Sequence, residues 1–243
     1  MRTLVIGDIH GGLRALRQLL ERACVDQDDH LIFLGDFVDG WSESFETVEF
    51  LMDLEQRQPS TFILGNHDEL TRDWLLTQEE NETWLMHGGE ATRSSYLRAG
   101  RDRWSKHIEW IGNLRTHYLD NENRLFLHAG FTNLRGIEFE YFEKMLYWDR
   151  TLWELAKAVD PALNPEDEDY PERLRRYQRI FIGHTPLSKN GRAIPRKAAN
   201  VWNVDTGAAF KGSLTALDIH TEVYWQSDPV HELYPGENGR NGR

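Results

Sequence analysis

Cysteine is nearly absent from this 243-residue chain, proline is scarce at eight, and positive charge is in short supply. With Cys24 alone, no disulfide can close within the chain, which fits a reducing compartment such as the cytosol. Cys24 lies in an apolar, helix-patterned stretch and reads as core filling. No phosphate-cradling loop follows it, which disfavours a cysteine-nucleophile phosphatase. No segment approaches the ~20 apolar residues of a membrane helix. The opening run Thr3–Ile6 is too short for a signal-peptide core. Lys and Arg total 28 against 40 Asp and Glu, a formal charge of -12. That balance repels a polyanionic backbone, so stable nucleic-acid binding is not expected. A small phosphorylated ligand is compatible with it, because bound divalent cations reverse the local field.

What is present has one grammar. Five short apolar runs, Thr3–Ile6, Leu31–Leu34, Thr61–Leu64, Leu125–Leu127 and Ile180–Ile182, read as buried strands. Each stops at a Gly or His with a metal-binding side chain close by: Gly7-Asp8, Gly35-Asp36, Gly65-Asn66, His128 and Gly183-His184. Between them, Leu13, Leu16, Leu19 and Leu20 have helical spacing, as do Phe45, Val48, Leu51, Met52 and Leu54. Alternating strands and helices predict an α/β domain. In such sheets sites form beyond the carboxyl ends of strands, so five competent loops converge on one edge.

Residues 66–113 read as a Trp-rich helical insertion, with Thr77 and Glu80 as a capping box and Trp74, Trp84, Trp104 and Trp110 as packing anchors. Residues 199–204, 213–219 and 222–225 read as strands of a second sheet or hairpin. Residues 1–226 are expected to form a single domain, and 227–243 a flexible tail.

Asp8 and His10, two apart beyond a strand, can point the same way and ligate a first-row divalent metal. Gly11 and Gly12 leave the backbone room to turn beside an ion. Asp36 stands at the equivalent place after the second strand, and one carboxylate can bridge two cations. Asn66 can ligate through its carbonyl oxygen without adding charge, and His128 and His184 add two imidazoles. Taken singly, each His reads more readily as a satisfied core residue. Six complementary ligands in one structural position read as a metal site. His30, His87, His107, His117, His220 and His231 have no such placement.

Gly7-Asp-Ile-His-Gly11, Gly35-Asp-Phe-Val-Asp39, Gly65-Asn-His-Asp68, His128-Ala-Gly130 and Gly183-His-Thr185 stand in the order of the calcineurin-like metallophosphoesterase motifs. The chain resembles that superfamily, above all its bacterial and phage Ser/Thr protein phosphatases. Gly88-Gly-Glu-Ala-Thr92 and Val204-Asp-Thr-Gly207 also resemble segments of that branch. The resemblance implies two mixed β-sheets packed face to face with helices outside, a four-layer αββα sandwich. It also implies two metal ions (Mn, Fe or Zn), with Asp8, His10 and Asp36 on one and Asn66, His128 and His184 on the other, bridged by Asp36. Two positions depart from the pattern: Gly40 stands where the family usually carries a phosphate-gripping Arg, and Asp68 where the phosphatase branch often has Glu.

The expected chemistry is hydrolysis of phosphate monoesters by in-line attack of a hydroxide generated between the two cations. His67 is the candidate to protonate the leaving oxygen, with Asp39 holding it in the right tautomer. Arg150 matches a phosphate-binding Arg of the phosphatase branch, and reads equally as a helix-start residue behind an Asp149 cap. The alternative function is a dinucleoside-polyphosphate hydrolase of the diadenosine tetraphosphate type. From another class comes a non-catalytic scaffold that recognises phosphate, against which Asp39 and His67 argue. A nuclease is disfavoured by the acidic charge.

Overall fold

Period-two patterning decides how the strands pack. In the computed structural model, which describes residues 1–241, β1 (Thr3–Ile6), β2 (His30–Phe33) and β3 (Ser60–Phe62) form parallel ladders. Antiparallel to β1 lies β9 (Ser213–Asp218), and beyond it β10 (Tyr224–Pro229), giving the order β10-β9-β1-β2-β3. The second sheet is built from β4 (His117–Leu119), β5 (Arg124–Leu127), β6 (Arg179–Ile182), β7 (Arg196–Ala198) and β8 (Val201–Asn203), in the order β4-β5-β6-β8-β7.

Both sheets are mixed. Val5, Ile32, Phe126, Phe181 and Leu217 point between them and form one core, with Phe126 and Phe181 stacked at 4.9 Å. Their alternate neighbours point outward. Leu4, Ile6, Leu31 and Phe33 meet α1 (Leu13–Arg22), α2 (Ser44–Glu55) and the Trp110–Ile111 end of the insertion. Leu125, Leu127, Ile180 and Ile182 meet Leu152, Trp153 and Leu174 on the other side. Burial on both faces is what a near-continuous apolar run is for. The result is the four-layer αββα sandwich.

The insertion carries α3 (Asn66–Thr77), a short α4 (Glu82–Trp84), a wide π-type turn over Leu85–Gly89, α5 (Glu90–Ala99) and α6 (Trp104–Gly112). Trp74, Trp84, Tyr96, Trp104 and Phe45 form its own buried cluster. The expected Thr77–Glu80 capping box is not formed. Thr77 ends α3, its hydroxyl donating to the Asp73 carbonyl at 2.9 Å, and Asn81 caps α4 by accepting from Trp84 N–H at 3.0 Å. Beyond β5 come α7 (Met145–Trp148), α8 (Thr151–Ala158) and α9 (Glu172–Arg175).

Two further expectations are corrected. Cys24 is exposed, not core, because the chain turns at the end of α1 and this residue takes a left-handed conformation (φ 47). Residues 227–241 are not frayed. Ser227 is buried in β10, α10 (Val230–Leu233) follows, and Val230 and Tyr234 are fully buried, Tyr234 stacking on Trp41 at 5.3 Å. A few well-spaced anchors hold a segment whose composition reads as polar. Residues 242 and 243 of the expected tail lie outside the described residues. Among the described residues, no helix is long and apolar enough to cross a membrane.

Candidate metal centre

The loops after β1, β2, β3, β5 and β6 meet at one edge of the sandwich, and the six expected ligands meet with them. All six are buried. Asp8, His10 and Asp36 form one group and Asp36, His128 and His184 another, each with its ligand atoms within 4.8 Å of one another. Asp36 belongs to both: its Oδ2 lies 3.5 Å from His10 Nε2, its Oδ1 3.4 Å from His128 Nε2. Asn66 completes the second group, its Oδ1 lying 2.9 Å from His184 Nδ1 and 3.2 Å from His128 Nε2.

Backbone conformation aims these side chains. His10, Asp36, Asp39 and His184 all adopt positive φ (53, 53, 69 and 63), where non-glycine residues are uncommon. Adjacent glycines supply close approach. A Cβ on Gly183 would collide with the Asp8 carboxylate, and one on Gly65 with Asp36. Asp68 holds the second loop in place, its carboxylate accepting from the N–H groups of Asp36 (2.8 Å), Phe37 (2.8 Å) and Gly65 (2.9 Å). The departure at Asp68 is thus a structural brace.

The residues present fit two cations. His10 Nδ1–H donates to the Asp39 carbonyl at 2.7 Å and His128 Nδ1–H to the Leu34 carbonyl at 2.7 Å. A carbonyl can only accept, so these bonds turn both Nε2 atoms toward the centre, as for metal-bound imidazoles. His184 Nδ1 lies 3.1 Å from His128 Nε2, while its Nε2 is buried without a hydrogen-bond partner. Five buried carboxylates, Asp8, Asp36, Asp39, Asp68 and Asp205, crowd the same loops, and among the described residues none is paired with Lys or Arg. Burying charge in that way requires a counter-charge.

The protonation pattern carries the same message. Burial, then the charge of Asp205, pushes the Asp8 carboxyl well above the usual carboxylate range. Burial opposes ionisation of Asp36, but the facing His128 and His67 outweigh it and hold Asp36 well below that range. Burial also opposes the His128 imidazolium, yet Asp36 raises it to about 9. That field would attract a metal cation equally. Burial keeps His10 and His184 neutral, well below the usual histidine range.

His67 and Asp39 stand beside the ligands. His67 Nδ1 lies 2.7 Å from Asp39 Oδ2, its ring edge-on to His10 at 5.1 Å, and its N–H donates to Asp36 Oδ1 at 3.0 Å. Arg150 follows Asp149, whose carboxylate accepts from the N–H groups of Thr151 and Leu152 at 3.0 Å each. The guanidinium reaches back to the loop of the candidate ligand His184, donating to Thr185 Oγ1 at 3.3 Å.

Three further residues of the site carry no site role assigned from the sequence, although Thr92 and Asp205 lie in the Gly88–Thr92 and Val204–Gly207 segments. Trp84, read as a packing anchor, also donates its indole N–H to Asp39 Oδ2 at 2.6 Å. Thr92 accepts from Asp39 N–H at 2.8 Å, and a Cβ on Gly89 would collide with the Trp84 indole, which accounts for the Gly88–Thr92 motif. Asp205 sits against Asp8, its carboxyl raised to about 6, chiefly by burial.

With the geometry established, the model of the calcineurin-like phosphoesterase family matches residues 1–210. The chain belongs to this family. A buried double Asp/His cluster on the calcineurin-like phosphoesterase fold makes it a metal-dependent phosphoesterase. The asymmetrical bis(5'-nucleosyl)-tetraphosphatase PrpE of Geobacillus thermodenitrificans is 28% identical over 88% of each chain. Several further relatives bear the same name. Serine/threonine-protein phosphatase 1 of Salmonella typhimurium is 25% identical over 88% of this chain and 90% of its own. Among solved structures, a protein serine/threonine phosphatase from Saccharomyces cerevisiae superposes with a TM-score of 0.61 at 16% identity, covering 94% of this chain and 80% of its own; this likeness is one of fold.

Proposed function

We propose that this calcineurin-like phosphoesterase hydrolyses dinucleoside polyphosphates of the bis(5'-nucleosyl)-tetraphosphate type, ahead of the phosphoprotein reading that the sequence motifs favour. The observation that carries the proposal is the run of curated relatives with that name that span nearly the whole chain. An open cleft of about 710 Å³ beside the metal centre, lined in part by Gly40, Leu85, Met86 and Gly88, supports it by offering room for more than a phosphate.

Asp8, His10 and Asp36 would hold one cation and Asp36, Asn66, His128 and His184 the other. Bound there, the two cations supply Lewis acidity, acidifying water and drawing charge from the phosphoryl oxygens. Arg150 binds a phosphoryl oxygen on the His184 side, where a guanidinium fork can meet two oxygens. His67 gives its Nε2 proton to the departing oxygen. Asp39 keeps the other proton on Nδ1 and stabilises the charge that the ring carries before it delivers its own.

The second reading, a Ser/Thr protein phosphatase, rests on the Salmonella relative and the His67–Asp39 pair. Comparing kcat/KM for diadenosine tetraphosphate and for a phosphoserine peptide, on the same metal-loaded protein, tests the proposal. A clear preference for the dinucleotide is expected; a preference for the peptide would overturn it.

A further inference from the structure

The chain is acidic, yet cationic side chains gather on one side of the metal centre, and one comes from its last described residues. Beyond Tyr234 the chain is pinned at successive points. The Glu237 carboxylate accepts from Ser42 N–H (3.0 Å) and Oγ–H (2.7 Å). Gly239 takes a left-handed φ of 56, and Arg240 N–H donates to the Ala209 carbonyl at 2.8 Å.

The arm of Arg240 then lies in a notch made by two glycines. A Cβ on Gly40 would stand 3.5 Å from Arg240 Cγ, and a Cβ on Gly88 only 3.0 Å from it. Both glycines have positive φ (136 and 110), and Gly40 N–H donates to the Gly88 carbonyl at 3.1 Å, tying the two loops at the notch. The first of these is the position where the family pattern leads one to expect an arginine. Here that position is empty of side chain, and an arginine from 200 residues along the sequence fills the space (240 less 40).

The guanidinium sits over the Phe210 ring at 5.5 Å, and Lys189 Nζ approaches the same ring at 5.2 Å. Among the described residues Arg240 forms no ion pair, and its Nε is buried without a hydrogen-bond partner. Arg240 is half-buried, and its terminal guanidinium nitrogens, without an ion-pair partner among the described residues, are free to meet an anion.

We propose that Arg240 grips the phosphate chain beyond the reacting phosphorus, and that the cleft bounded by Gly40, Leu85, Met86, Gly88, Ala91 and Arg240 receives the nucleoside that follows. This rests on the dinucleoside-polyphosphate reading. A lone phosphate would be met by the metal centre and, in the proposed arrangement, by Arg150. Arg240, which lines the cleft, and Lys189, which approaches the same Phe210 ring, would meet the phosphates that follow. Leu85, Met86 and Ala91 then offer an apolar wall to a flat base, Met86 being 74% exposed.

The test uses the metal-loaded full chain and the non-hydrolysable β,γ-imido analogue of ATP in excess magnesium. Arg240→Ala should weaken binding of the analogue by about tenfold or more, the loss of a charge-assisted hydrogen bond. KM for diadenosine tetraphosphate should rise in step, and kcat/KM on p-nitrophenyl phosphate should fall far less. Arg240→Lys keeps an arm in the notch and should recover part of the affinity. Unchanged analogue binding in Arg240→Ala would overturn the assignment, as would a wild type that does not bind the analogue or an equal loss on p-nitrophenyl phosphate. If the wild type binds the analogue through Arg240 but prefers a phosphoserine peptide as substrate, the substrate reading fails and the role of Arg240 stands.

Discussion

The Trp84 indole N–H and His67 Nδ1 meet the same Asp39 oxygen, Oδ2, at 2.6 and 2.7 Å. One carboxylate thus ties the helical insertion to the imidazole beside the metal centre. Asp39 is fully buried, and Thr71 adds a weaker bond to its other oxygen at 3.4 Å. A carboxylate fixed by this many donors cannot turn away from the ring it orients.

Removing the proposed proton donor should show a dependence on the leaving group. His67→Asn is expected to keep both metals and to lose roughly 10²–10⁴-fold in kcat on a phosphoserine peptide, whose alkoxide needs a proton. Nitrophenolate leaves as a stable anion, so the loss on p-nitrophenyl phosphate should be far smaller. Asp39→Asn should show the same skew more weakly. Equal losses on the two substrates, with metals retained, would instead make His67 a phosphate-binding group.

Trp84→Phe keeps most of the packing and deletes one hydrogen bond to a charged acceptor. Such bonds contribute about 1.5–3 kcal/mol, shared here between fold and orientation. We expect about a tenfold fall in kcat on the phosphoserine peptide. The same variant should lose little on p-nitrophenyl phosphate, because Trp84 acts through Asp39 and His67 alone. A uniform fall across both substrates would reduce Trp84 to a core residue.

The shared ligand gives a test with a readout other than rate. Asp36→Asn should leave circular dichroism unchanged while metal content drops by at least one of the two ions, since a neutral amide balances two dications poorly. Metal analysis after desalting decides it. Full occupancy with normal turnover would contradict a bridging role.

Far from the centre, Asp29 offers a stability test. Its carboxylate accepts from the Arg2 guanidinium and backbone, which lowers it from 3.8 to about 2. The folded state therefore favours the anion. Its contribution is complete above about pH 4 and disappears as pH falls through about 2. Allowing for screening at the partly exposed Arg2, it amounts to about 1–2 kcal/mol. Asp29→Asn should lower the urea midpoint at pH 7, and the gap from wild type should shrink by roughly half near pH 3. A gap independent of pH would assign the effect to packing.

The sandwich and its clustered Asp and His side chains are legible in the sequence because both rest on local rules. A strand buried on both faces must be apolar throughout, and the loop beyond it is free to carry chemistry, so β1, β2, β3, β5 and β6 and their terminal ligands stand out in the chain. What escaped was long-range or sparse. Strand β7 is mostly exposed, with an Arg-Lys-Ala sequence that carries no apolar signal. Trp84 lies 45 residues from the carboxylate it serves, and its bond to Asp39 leaves no trace in local spacing. The polar composition of 227–241 concealed two buried anchors, Val230 and Tyr234, and with them the route that brings Arg240 to Gly40.

The left-handed backbone at His10, Asp36, Asp39 and His184 has a consequence for how this protein can change. Glycine would take each of those conformations without steric penalty, a relief of about 1 kcal/mol each that its larger loss of chain entropy on folding mostly offsets. Every such relief removes a ligand or the carboxylate behind the imidazole. Such a change would also forfeit the stabilisation that bound metal gives the folded state, so the strain at these four positions is held in place by the ions it serves, and heat resistance should fall when metal is withdrawn.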